Sequence, residues 1–108
     1  MFFKWAKARG ETTMTKLDKL NMQVTSAIVK MEEAAKEVAR LEEEIATLVG
    51  ADTTEGAVAR RGAVRATLAS GNVEYARLLI NKFSAEDNID PKLDEELWQL
   101  LWKWEGKK

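Results

Sequence analysis

Between residues 16 and 49, apolar side chains recur in an unbroken alternation of three and four. They are Leu17, Leu20, Val24, Ala27, Met31, Ala34, Val38, Leu41, Ile45 and Leu48. This is the a/d seam of a heptad repeat, the pattern by which one helix buries a stripe against another. Thr15 followed by Asp18 supplies a capping pair ahead of the run, and Gly50 a stop behind it. No proline or glycine lies between. The pattern predicts one helix over 16–49, about 50 Å long at 1.5 Å per residue. A compact domain of about 100 residues has a radius of gyration near 13 Å. No later stretch of the chain is long enough to cover the whole seam. A second copy is the simplest partner, so Leu17, Leu20, Val24, Met31, Val38, Leu41 and Ile45 are expected to form a homo-oligomer interface, most simply a dimer. The alternative is that helices of the same chain cover the seam.

The flanking positions refine this expectation. With Leu17 as position a, the e positions include Ile28, Ala35 and Val49. The apolar face is therefore wider than a two-stranded seam needs, which favours a bundle or helices on both sides. The g positions are Lys16, Gln23, Lys30, Glu37 and Glu44. In a parallel pair Glu37 faces Glu42 of the neighbour, which is repulsive. In an antiparallel pair Lys16 approaches Glu44, so the charges lean towards the antiparallel arrangement.

Three shorter helices follow. Asp52 with Glu55 resembles a capping box and opens a helix over 53–69, whose apolar residues are small: Ala57, Val58, Ala59, Ala63, Val64 and Ala66. Gly56 and Gly62 each cost a helix about 1 kcal/mol against alanine. Small residues allow close approach, so this helix is expected at the centre of the packing. Gly71 reads as a left-handed stop and Asn72 as the next N-cap. A helix over 73–84 then carries Val73, Ala76, Ile80 and Phe83 on one face, with Tyr75 and Leu79 beside them. Asp90 caps the last helix, over 91–105, with Pro91 at its first position and Asp94, Glu95 and Glu96 near its positive end. Leu93, Leu97, Leu100, Leu101 and Trp104 form its core stripe. Trp98 and Trp102 lie one turn apart on a neighbouring face. They are the candidate partner-binding residues, because tryptophan is enriched in interface hot spots; the competing reading places them in the core. The fold class is therefore all-α, with a 1–13 extension ahead of a single helical domain over 14–108.

Composition changes the picture mainly by exclusion. The chain of 108 residues has neither cysteine nor histidine. That removes disulfides, thiol nucleophiles, Cys/His zinc sites and imidazole as a general base. The acidic runs Glu42-Glu43-Glu44 and Asp94-Glu95-Glu96 read as a solvated helix face and a helix N-terminus. No Gly-rich phosphate loop occurs, and Asp87-Asn88-Ile89-Asp90 lacks the ligand alternation of a calcium loop. No enzyme activity, cofactor or metal is expected.

Charge is unevenly distributed. Residues 1–30 hold six basic and two acidic groups, 31–55 two and eight, 56–83 five and one, and 84–108 four and seven. Such alternation can orient segments or subunits. Arg60, Arg61 and Arg65 cluster on the second helix and carry the rival reading, a nucleic-acid-binding accessory protein. Against it, a helix-turn-helix reads bases with its second helix, whereas the arginines here crowd the first and Glu74 follows the turn. Their structural role would be to pair with the acidic block at 32–55. At the start, Phe2, Phe3 and Trp5 with Lys4, Lys7 and Arg9 suggest an amphipathic anchor or an extension without a role. No apolar run approaches the roughly 20 residues of a membrane span, and a signal-peptide pattern is missing, so a cytoplasmic setting is expected. The reading is a non-enzymatic adaptor, inhibitor or assembly component, of a size that fits a viral accessory protein. It would act through helix-face contacts with itself and a further protein.

Overall fold

The computed structural model describes residues 15–106, and among them the protein is all-helical. The elements are α1 (Lys16–Leu48), α2 (Thr54–Ala69), α3 (Val73–Ser84) and α4 (Pro91–Gly106). The aromatic and basic positions at 2–9 lie outside the described residues. The chain divides into two units, with the boundary after Lys30 inside α1.

In the first unit, the described residues are the opening turns of α1. Thr15 and Asp18 form a reciprocal capping box: the Asp18 amide donates to Thr15 Oγ1 at 3.0 Å and the Thr15 amide to Asp18 Oδ2 at 3.4 Å. Every residue from Thr15 to Lys30 is exposed.

In the second unit, α2, α3 and α4 pack against one another in all three pairings. Their core joins Ala59, Ala63, Val64 and Leu68 of α2 to Ala76, Leu79, Ile80 and Phe83 of α3 and to Leu93, Leu97 and Leu101 of α4. Fully burying a leucine, isoleucine or phenylalanine side chain stabilises by about 1.5–3 kcal/mol. From α1 this core receives Ala46, and Ala39 is buried as well. The side chain of α1 that enters is thus small. A Cβ at Gly62 would collide with the Glu42 carboxylate, and one at Gly56 with the Gly50 carbonyl. Gly56 therefore admits the α1–α2 turn at close range, while Gly62 lies against the end of the Glu42 side chain.

The helix ends follow from their caps. Thr53 Oγ1, rather than Asp52, accepts the Gly56 amide at 2.9 Å, so α2 starts one residue later than the sequence suggests. Asp52 is engaged elsewhere, accepting from Asn88 Nδ2 at 3.2 Å. Asn72 caps α3 through Tyr75 N at 3.1 Å, after Gly71 with a φ of 87°. Asp90 accepts the Lys92 amide at 2.9 Å ahead of Pro91.

One charged side chain sits inside this unit. Arg60 is 2% exposed. Its Nε and Nη2 donate to Glu86 Oε2 and Oε1 at 2.8 and 2.6 Å. Its Nη1 reaches Gly56 O at 2.9 Å and its Nη2 also reaches Ala46 O at 3.1 Å, while the guanidinium lies 5.4 Å from the Phe83 ring centroid. A buried guanidinium is tolerated only when its donors are satisfied and its charge is matched. The Ala46 carbonyl belongs to the last turn of α1, where helix carbonyls lack partners and a positive charge is favourable. That turn has no basic residue of its own.

Removing Glu86 leaves the Arg60 charge buried and unmatched. Glu86→Ala is expected to destabilise the fold by about 3 kcal/mol. Glu105→Ala, which breaks the exposed pair with Arg77, should cost less than about 1 kcal/mol. Urea unfolding followed by tryptophan fluorescence checks both; equal losses would contradict the role given to Arg60.

Candidate protein-protein interface

The heptad register of α1 separates its faces. Ala39 and Ala46, both at position b, are buried, and Ala35 and Glu42 at e and Glu43 at f are half-buried. The a/d residues of the same turns remain exposed: Val38 at 48%, Leu41 at 44%, Ile45 at 41% and Leu48 at 82%. Helices of the same chain thus pack on the alanine side of α1 and leave the a/d positions open. This answers the alternative in which the chain covers its own seam: on residues 31–48 it does not. In the first unit, Leu17, Leu20 and Val24 are exposed, at 66%, 48% and 56%. Met31, at the start of the second unit, is 69% exposed. The sequence pattern pointed to the a/d residues but not to the alanines. Their signal is the recurrence of small residues at 35, 39 and 46, one to two turns apart on a second stripe.

Charged side chains border these faces in an ordered way. Arg40 bridges Glu37 at 2.7 Å and Glu44 at 3.1 Å along the helix. The Arg40 guanidinium, hydrogen-bonded to Glu37 and attracting it, holds the Glu37 carboxyl below its ordinary value. The same contact, with a contribution from Glu44, raises the affinity of Arg40 for its proton. Glu43 accepts from Tyr75 Oη at 2.8 and 3.0 Å and sits 3.5 Å from Lys82 Nζ, linking α1 to α3. The acidic block is therefore served by Arg40, Tyr75 and Lys82.

The three arginines of the nucleic-acid reading do not form one surface. Arg60 is buried on Glu86, so it must be removed from any exposed patch. Arg61 pairs with Glu96 of α4 at 3.3 Å. Arg65 is exposed and makes no ion pair among the described residues. None of the three pairs with the acidic block at 32–55; Arg60 and Arg61 are matched by glutamates that follow α3. The cleft beside Arg60, about 400 Å³, has no convergent free donor from it, since Arg60 is committed to Glu86, Gly56 and Ala46.

The tryptophans divide. Trp98 is half-buried and packs on the core, whereas Trp102 is 57% exposed. Their rings stack, with centroids 6.1 Å apart and planes at 25°. Trp98 thus belongs partly to the core, and Trp102 extends its surface outward. Among the described residues, no group of three or more acidic side chains is placed to hold a metal ion, and no helix is long and apolar enough to cross a membrane.

Compared with protein-family models, with curated proteins and with solved structures, the chain matches none.

Tyr75 is the chain's single tyrosine, which makes its contact with Glu43 measurable. The hydrogen bond to Glu43, then burial and the carboxylate charge, raise the Tyr75 pKa above its ordinary value. The folded form holds the phenolic proton more tightly, so this contribution is complete below about pH 10 and is lost as pH rises through the elevated value. Ultraviolet difference titration should show phenolate forming above the usual tyrosine range. Glu43→Gln should bring the midpoint down; an unchanged midpoint would disprove the cause.

Proposed function

We propose that this protein is a non-enzymatic helical interaction protein that self-associates through the a/d face of α1. The carrying observation is the exposure of that face: the chain's own helices pack on the alanines and leave Val38, Leu41, Ile45 and Leu48 in solvent. In folded proteins, helices are stabilised mainly by packing an apolar face rather than by propensity. A heptad stripe left open in the chain is therefore a stripe to be covered by another helix. The stacked Trp98 and Trp102 offer a second contact for a different protein, of the kind an adaptor, an inhibitor or an assembly component would use. The nucleic-acid reading is weaker, because a patch that loses Arg60 retains only Arg61, already paired, and Arg65.

Light scattering coupled to size exclusion should return twice the chain mass or more at high concentration, falling towards one chain on dilution. Val24→Asp places a carboxylate in the seam and should leave a monomer with the native tryptophan fluorescence of the second unit. A single-chain mass at every concentration would overturn the self-association reading.

A further inference from the structure

We infer that the occupant of the α1 face is a second copy lying antiparallel, in a register that sets Leu17 against Leu41, Leu20 against Val38, Val24 against Ala34 and Ala27 against Met31. This inference rests on the self-association reading above and adds its direction and its limits. Two features of the sequence select it.

The first is the size of the layers. In antiparallel coiled coils, a residues of one helix face d residues of the other. Aligned as above, each alanine meets a larger side chain, Ala27 with Met31 and Ala34 with Val24. The outer layers pair leucine with leucine or valine. In a parallel pair, a faces a and d faces d. Ala27 would then meet Ala27, and Ala34 meet Ala34, on either side of a Met31 layer. Two thin layers flanking a thick one leave gaps whose lining atoms lose their contacts.

The second is charge. Residues 16–30 carry three basic groups and one acidic, and residues 31–48 carry two basic and six acidic. An antiparallel pair lays each basic stretch along the acidic stretch of the other copy, with Lys16 beside Glu44 at both ends. It also sets Ile28 beside Ile28 at the centre, which gives the apolar e position a use. A parallel pair lays acid along acid and opposes Glu37 with Glu42 twice. Charges of this kind select orientation more than they add affinity. One like-charge contact remains, Lys30 near its own mate, on flexible side chains that can turn outward into water.

The register also sets a boundary. The overlap of a and d residues ends at Leu17 and Leu41. Ile45 and Leu48 lie beyond this overlap. Ile45 is thereby removed from the core of the self-interface, although the heptad continues through it.

Spin labels on two exposed outer positions, Ser26→Cys and Thr47→Cys, test the orientation in the full-length chain, which has no native cysteine. In the antiparallel register, labels at 26 lie within about 30 Å of each other, and labels at 47 are separated by about 36 residues of rise, or about 55 Å. Pulsed dipolar spectroscopy should therefore show a short distance at 26 and a long one at 47. Short distances at both would overturn the antiparallel inference while leaving self-association standing. No intermolecular distance, with a single-chain mass, would overturn both. Leu48→Asp should leave the dimer dissociation constant within about threefold of the parent; dissociation on the scale of Val24→Asp would refute the register.

Discussion

The Arg60 guanidinium determines which side of α1 turns inward. A charge held almost entirely out of water must have its donors filled, and Arg60 fills them from three places: Glu86 after α3, Gly56 within α2 and Ala46 in the last turn of α1. The bond to the Ala46 carbonyl works because that helix end has carbonyls to spare and no basic residue of its own. Once Ala46 is drawn to α2, the rotation of this part of α1 is set. Its b positions face the core, and its a and d positions face away.

That rotation separates two kinds of packing that a single helix rarely has to combine. On one side, Ala39 and Ala46 are buried, Ala46 within the three-helix core, while Gly62 lies against Glu42 and Gly56 leaves room for the Gly50 carbonyl. On the other, branched side chains stand in water. Tyr75 and Lys82 hold Glu43 on the α3 side of α1, so α2 and α3 both grip the helix without reaching its a/d positions. Exposed apolar side chains scattered singly are ordinary on protein surfaces. A regular heptad of them is not scattered, and this is why the face reads as an interface.

Much of the fold was legible in the sequence, because its local signals agree. The long helix, the Thr15–Asp18 box, Asn72 behind Gly71, and Asp90 before Pro91 all appear where the pattern put them. Thr53 displaced Asp52 as a cap because the aspartate is taken by Asn88, 36 residues away, a contact no local pattern reveals. Arg60 was grouped with Arg61 and Arg65 for the same reason. Arginine is rarely buried without a partner, and its partner Glu86 lies 26 residues further on in a connecting segment. The open face was visible as a stripe, but its being open depends on which other stripe the chain fills. Alanines at 39 and 46 carry little hydrophobic weight, and their role emerges only from their burial in the folded chain.

The account turns on α1 being covered by another copy rather than by its own chain. Hydrogen–deuterium exchange of the full-length protein at a series of concentrations tests this most directly. Amides of residues 17–30 should become protected as concentration rises, while those of α2, α3 and α4 keep the same protection throughout. Protection of residues 17–30 that is independent of concentration would contradict the account.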